Sequence, residues 1–375
     1  MAKPTVGILS MQRVINYGSF LQSYALKQLL LRNGAGEVYF VDIIPGKILI
    51  NDSTVTRCKY SRYVNKITSL TKSGNLISGL KTYWFNRKLE KSIRKSWPML
   101  GLEHSCSNPF DHIIIGSDEV FNCTQDVYWG YTTQLFGNIP VSIAHKVSSY
   151  AGSFGYTDLE KLRMYNIDTE VGENLNKLSA ISVRDENSAI IVKTLTGRTP
   201  LIHLDPVLAY GYKQEIANFV KSPMDLPYMI VYSYQDRIND TKEINAITDF
   251  AKKKGLKLIS IFCRYDWCDK AILPNSPIDV LQWFKFANCI VTDTFHGTIF
   301  SIITESKFAT IIRTSNYNKL DYLLNSLNLS KHETDITSLH SVLTVAPDYT
   351  TCNSILEQKR KETTEYLRQL LCSKY

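Results

Sequence analysis

Apolar residues recur along this chain in two patterns. Short continuous runs read as strands buried on both faces, and runs with a three-to-four-residue period read as helices. Thr5 to Ser10 is the first apolar run, and Asn16-Tyr17-Gly18-Ser19 is a turn cluster with Ser19 as the expected N-cap. Phe20 to Leu31 then carries Leu21, Ala25, Leu26, Leu29 and Leu30 on one face, ends at Asn33-Gly34, and leads into the strand Val38 to Ile43. Strand, helix, strand over this length is a βαβ unit with a right-handed crossover. Asp111 to Gly116 is a further buried-strand run that ends in Gly116-Ser117-Asp118. Lys146 to Tyr150, Ala180 to Val183 and Leu201 to Leu204 read as strands, with a helix over Asp185 to Leu195.

A second alternation begins after Pro223 and Pro227. Its strands are Tyr228–Tyr232, Leu256–Phe262, Cys289–Thr292 and Phe308–Ile312; its helices are Thr241–Lys254, Pro277–Ala287, Thr298–Thr304 and Tyr317–Leu327. The pattern predicts an α/β chain with two doubly wound, Rossmann-like domains. The expected division is 1–215, with a basic helical insertion near 51–104; 216–345; and a C-terminal helical segment, 346–375, that packs back on the first domain.

The length of 375 residues fits two domains of roughly 150 residues each. At 44% apolar and 21% charged residues the composition is that of an ordinary globular protein. No apolar run approaches the roughly 18 residues of a membrane span, and no signal-peptide pattern opens the chain, so a cytoplasmic enzyme or binding protein is expected. The formal net charge is +8, and many of the basic residues lie between Arg57 and Lys95. That stretch suits phosphate, an anionic sugar or an anionic membrane face, or is simply a solvated surface. No RNA-binding signature or zinc finger accompanies it, so nucleic acid is not an expected partner. The eight cysteines include no CxxC pair and no compact ligand set, so no metal site is expected.

Four polar or glycine-containing turns directly follow strands: 16–19, 116–118, 182–185 and 292–298. In an open α/β sheet ligands bind beyond the carboxyl ends of the strands, so these turns are the candidate site. None is a Walker A loop or a GxGxxG fingerprint. In Thr292-Asp293-Thr294-Phe295-His296-Gly297-Thr298, His296 stands at a helix start, either as a general acid or base or as a capping histidine. Gly297 is expected to allow close backbone approach, and the helix N-terminus favours an anion. Arg184 at another strand end suits a bidentate clamp on carboxylate or phosphate, or an ion pair with Asp185 or Glu186. Asp118 is read as orienting a sugar hydroxyl or tuning His296, or as an N-cap. Asn16 and Tyr17 line the acceptor side or close the first turn. Asp205-Pro206 reads as a rigid turn.

Together these segments resemble the polysaccharide pyruvyl transferase family from the first strand to about Leu329. The resemblance rests on five segments in the family's order: Asn16-Tyr-Gly-Ser-Phe-Leu-Gln-Ser-Tyr-Ala-Leu26, Ile115-Gly-Ser-Asp-Glu-Val-Phe-Asn122, Ser182-Val-Arg-Asp-Glu-Asn187, Leu204-Asp-Pro-Val-Leu208 and Val291-Thr-Asp-Thr-Phe-His-Gly-Thr-Ile-Phe-Ser301. It implies two Rossmann-like domains facing a cleft, similar to GT-B glycosyltransferases. It also implies transfer of pyruvate from phosphoenolpyruvate to a sugar as a cyclic ketal, without a cofactor. The implied acceptor is a saccharide on a lipid, nucleotide or polymer carrier in capsule or exopolysaccharide synthesis.

By the same resemblance His296 and Arg184 are the expected donor-site residues; read from their places at the strand ends, Asp118 joins His296 as catalytic, Thr294, Phe295 and Gly297 join Arg184 at the donor, and Asn16, Tyr17 and Gly18 face the acceptor. Some members carry arginine where this chain has Thr294, in an Arg-Leu-His motif; Arg313 and Lys319 are the candidate replacements. Two other readings suit the same fold: a nucleotide-sugar glycosyltransferase of GT-B type and a catalytically silent carbohydrate-binding relative. Work on a membrane-linked precursor, with the basic, aromatic stretch 57–95, further implies weak peripheral association with the inner face of an anionic membrane. The alternative for that stretch is an ordinary helical insertion with its aromatics in the core.

Overall fold

The computed structural model describes residues 3–49, 76–104, 106, 109–124 and 129–372. The first half of the basic stretch, Arg57 to Lys72, lies outside the described residues.

The chain builds two parallel sheets. The first contains β1 (Thr5–Leu9), β2 (Glu37–Val41), β3 (His112–Ile115) and β4 (Val147–Ser149), in the order β2-β1-β3-β4. The short strands β5 (Ser182–Val183) and β6 (Leu201–Ile202) extend it, because Ser149 N donates to Ala180 O and Gly152 N to Ser182 O. The second sheet contains β7 (Tyr228–Tyr232), β8 (Lys257–Ile261), β9 (Lys270–Ile272), β10 (Cys289–Thr292), β11 (Phe308–Ile311) and β12 (Glu333–Thr334), in the order β12-β11-β10-β7-β8-β9. Every residue of β3, β7 and β10 is buried, as continuous apolar runs in a parallel sheet require. The doubly wound, two-sheet α/β architecture is the one the alternation predicts. Strands β9 and β12 are edge strands of three and two residues, too short to show a period.

A single apolar cluster joins the facing sides of both sheets. It takes Val6, Ile8 and Ile114 from the first, Ile230, Ile259 and Ile290 from the second, and Leu26, Val207, Phe300 and Leu367 from the helices between. Separate clusters cover the two outer faces. The last helix, Tyr349–Cys372, spans the two halves. At its start Tyr349 Oη donates to Ser306 O at 2.6 Å, and near its end Tyr366 Oη donates to Ser149 O at 2.8 Å.

The insertion contains the helices Leu76–Lys95 and Trp97–Leu100. Phe85, Leu89 and Ile93 of the first are buried, whereas Trp84 is 61% exposed, so the aromatics divide between core and surface.

Candidate functional site

Every segment that forms the cleft follows a strand. The Tyr17–Arg32 helix begins beyond β1, and its N-cap is Asn16, whose Oδ1 accepts from Gly18 N at 2.7 Å. The expected cap, Ser19, therefore lies inside the first turn, and its hydroxyl donates to Asp118 Oδ2 at 3.0 Å. Beyond β3, Gly116 has φ +129°, and a Cβ there would stand 2.1 Å from Tyr150 O, so this turn demands glycine. Asp118 follows at φ 72°, a left-handed conformation that aims its carboxylate across the sheet end.

On the second half, Thr294 caps the Phe295–Ile303 helix through Gly297 N to Oγ1 at 2.9 Å. The helix starts three residues earlier than its apolar period predicts, which puts His296 in the first turn. Gly297 does not line the cleft. A Cβ there would meet Thr292 Oγ1 at 2.2 Å and Tyr232 Cδ1 at 2.8 Å, so it is the sheet that requires this glycine. Its N–H is also taken by the cap.

These ends enclose a cleft of about 400 Å³, lined by Asn16, Ser19, Asp118, Glu119, Trp129 and Tyr156 from one half and by Tyr234, Arg237, Thr294, Phe295, His296, Ser315, Asn316 and Lys319 from the other. That volume lies in the range of roughly 300–1,000 Å³ usual for small-molecule sites. His296 lies directly over Gly18: a Cβ on Gly18 would stand 2.3 Å from the imidazole Cγ. Asn16 Nδ2 donates to Tyr234 Oη at 3.2 Å, and Lys319 pairs with Glu119. Three contacts thus cross the cleft.

Behind His296 lies a buried charge cluster. Arg184 NH1 donates to Asp205 Oδ2 at 2.8 Å and is 3.9 Å from Asp118 Oδ1; His296 Nε2 is 3.9 Å from Asp205 Oδ2. The Arg184 guanidinium stacks over the Phe295 ring, 4.1 Å from its centroid. Arg184 Nε, Arg184 NH2 and His296 Nε2 are buried and have no hydrogen-bond partner among the described residues. Buried polar atoms left this way are costly, and here three of them lie together behind the cleft. Arg184 does not line the main cleft. It lines a cavity of about 20 Å³ on the other side of Phe295 and Lys319. Its partner is neither Asp185 nor Glu186, because Asp185 caps the Glu186–Thr196 helix through Ser188 N.

Burial is the largest influence on His296 and disfavours its charged form. Asp118 and Asp205 oppose burial, Arg184 and Lys319 reinforce it, and the pKa lies below the ordinary 6.5. For Asp118 burial opposes ionisation, but His296, Arg184, Lys319 and the Ser19 hydroxyl outweigh it and bring the pKa below its ordinary value. The pair is therefore a neutral imidazole beside a carboxylate at neutral pH.

The structure separates the remaining candidates. Lys319 is on the cleft wall. Arg313 is not: its guanidinium makes two bonds to Glu243, at 2.6 and 2.8 Å, and a third to Asp293 at 3.4 Å. Tyr17 is fully buried against Phe262 and does not line the cleft, so it has no direct contact to offer an acceptor there. Sequence reasoning missed Arg237, Glu119, Tyr234 and the charge role of Asp205. Arg237 stands in the polar turn after β7, beside Thr294, with NH1 donating to Asp293 O at 3.3 Å and NH2 to Ser315 Oγ at 3.0 Å. The strand-end rule that found the other turns applies equally to this one. Asp205 does cap the turn helix Pro206–Tyr210, through Val207 N at 2.9 Å, in addition to binding Arg184. Among the described residues no cluster of ligands could hold a metal ion, and no helix is long and apolar enough to cross a membrane.

No curated protein sequence matches the chain. Its fold is similar to that of Arabidopsis thaliana UGT89C1 complexed with UDP-L-rhamnose, at 12% identity over 99% of this chain and 100% of that chain, with a TM-score of 0.52. The same protein complexed with quercetin matches at 11% identity over the same shares, with a TM-score of 0.51. With its two facing parallel sheets, the chain has a GT-B-like fold. The model of the polysaccharide pyruvyl transferase family matches residues 16–315, from the Asn16 cap to Ser315 on the opposite cleft wall, and on that match the chain belongs to this family.

Proposed function

We propose that the chain transfers pyruvate from phosphoenolpyruvate to a sugar of a surface-polysaccharide precursor, closing a cyclic ketal across two hydroxyls and releasing phosphate. The observation that carries this reading is the cluster of buried, unpartnered polar atoms on His296 and Arg184. It adjoins a cleft whose walls carry Asp118, Lys319 and Arg237.

Neutral His296 takes the proton of the first sugar hydroxyl and delivers it to the donor's methylene carbon. The hydroxyl oxygen bonds to C2, so O–H adds across the C=C bond. The C2–O bond to phosphate then breaks, and the second hydroxyl bonds to the oxocarbenium carbon that results. Its proton leaves with phosphate, so the products are the ketal carboxylate and hydrogen phosphate. Asp118, already bonded to Ser19, orients the attacking hydroxyl. Lys319 and Arg237 bear the charge of the departing phosphate, the role that the absent arginine at Thr294 leaves open. Arg184, which does not line the cleft, is assigned to the donor site indirectly, through its charge beside Asp118 and His296. On this reading residues 1–215 face the acceptor, 216–345 carry the donor motif, and 346–375 tie the halves together.

The test is incubation of the purified chain with phosphoenolpyruvate and candidate glycans, followed by mass spectrometry and phosphate release. One pyruvyl group gained with loss of water is expected. His296→Ala should lower turnover by on the order of 10²-fold or more, as loss of a general acid–base does. Phosphate release that is independent of acceptor, or product formed only from nucleotide sugars, would defeat the proposal.

A further inference from the structure

The helix Leu76–Lys95 has two faces of different character. Phe85, Leu89 and Ile93 are buried and fix it to the body of the protein. Its start is tied by Ser78 to Asp266 beyond β8, and Ser92 Oγ contacts Pro274 O at 3.5 Å. Asp266 lies beyond the carboxyl end of β8, the edge of the second sheet on which the cleft opens.

The opposite face carries Ile77, Leu80 and Trp84, which are 63%, 48% and 61% exposed. Lys81, Arg87, Lys88, Lys91 and Lys95 are also exposed. At 100° per residue all eight fall within an arc of about 120°. No acidic residue falls in that arc. The helix's single carboxylate, Glu90, lies to one side, with Arg94 at 2.9 Å and Arg87 at 3.5 Å. Lys81, Lys88, Lys91 and Lys95 form no ion pair among the described residues. The apolar side chains gather toward the start of the face and the cations toward its end.

We infer that this face docks the protein on an anionic bilayer. A tryptophan with two aliphatic neighbours suits the boundary between headgroups and acyl chains, and lysine stems reach outward while their ammonium groups meet lipid phosphates. The one-signed charge fits a surface of negative potential and would oppose a second copy of the same face. Because the helix start is tied to the segment after β8, docking would turn that side of the second sheet toward the membrane. The inference does not depend on the proposed reaction.

The experiment is co-sedimentation of the full chain with vesicles of phosphatidylglycerol and phosphatidylcholine, and with phosphatidylcholine alone. Binding is expected only to the anionic vesicles, and high salt should reverse it by at least about tenfold through screening. Lys88→Glu with Lys91→Glu should abolish it. Trp84→Ala should weaken it several-fold, and both variants should keep wild-type Tm and turnover on a water-soluble acceptor. The inference is overturned by absence of binding at low salt, by equal binding to both kinds of vesicle, or by binding that neither variant changes. Lipid-free self-association lost in Trp84→Ala would also overturn it and assign the face to a second copy.

Discussion

Gly18 acts at this site through the side chain it lacks. The His296 ring lies so close that a Cβ on Gly18 would overlap it at 2.3 Å from both Cγ and Nδ1. Gly18→Ala must therefore displace the imidazole, the helix start or both. Displacement of a reacting group by about 1 Å can cost on the order of 10² in rate. Gly18→Ala is expected to lower kcat by at least about tenfold, with overpacking of about 1–3 kcal/mol in stability. The double variant Gly18→Ala/His296→Ala should be no slower than His296→Ala alone, because the glycine acts through the histidine. Additive losses would show that Gly18 acts elsewhere. The sequence pattern singled out both Gly18 and Gly297, but for contact with a ligand. Gly18 must be glycine because of His296, far away in sequence, and no local pattern carries that information; Gly297 is hemmed in by its near neighbours Thr292 and Thr294 and by Tyr232 on the adjacent strand.

At the scale of elements, the turns after β7, β10 and β11 form one unit around Asp293. This carboxylate is fully buried and accepts from Ser233 at 2.6 Å and from Arg313 at 3.4 Å, while Arg237 lies 3.8 Å away. Two arginines thus converge on one acid, but only Arg237 reaches the cleft. Arg237→Gln should raise the donor KM by about tenfold, in line with loss of a charge-assisted contact to phosphate. Arg237→Lys should restore only part of that, since lysine lacks the planar fork. Arg313→Gln should act on Tm instead, because its partner is Glu243. An unchanged donor KM in Arg237→Gln would remove this arginine from the donor site. Strand-end turns with a glycine or a capping residue were legible from the sequence because they interrupt buried apolar runs. Which of two arginines faces the cleft was not, since it depends on Glu243, seventy residues from Arg313, claiming one of them.

The whole molecule is held by one core shared between two sheets and by a terminal helix laid across both, and that helix covers two buried histidines. The sheets were legible, because parallel strands write themselves as apolar runs; the histidines under the helix carried no signal, because burial comes only from tertiary packing. His203 lies against the Tyr366 ring, 4.5 Å between centroids, with Nδ1 2.7 Å from Ser182 Oγ. His112 Nε2 is 3.0 Å from Ser148 Oγ on the neighbouring strand. Burial, reinforced by Lys146, lowers the His112 pKa to about 3. Burial also dominates at His203, where Lys359 and Glu362 act in opposite directions, and lowers the pKa to about 4. Both side chains are neutral in the folded protein at pH 5 but take up protons near pH 6.5 once unfolded. The unfolded chain then binds more protons, so stability is full above about pH 6.5 and falls as the pH drops toward the folded values. Each histidine should remove on the order of 2 kcal/mol between about pH 7 and pH 5. Thermal unfolding across that range should show the wild-type Tm falling, and His112→Gln and His203→Gln should each make the decline shallower, whatever they do to Tm at pH 7. The slope is the informative quantity, because a packing defect shifts the whole curve whereas removal of a titrating group changes its steepness. Curves parallel to wild type in both variants would mean that these two imidazoles do not set the pH dependence of stability between about pH 7 and pH 5.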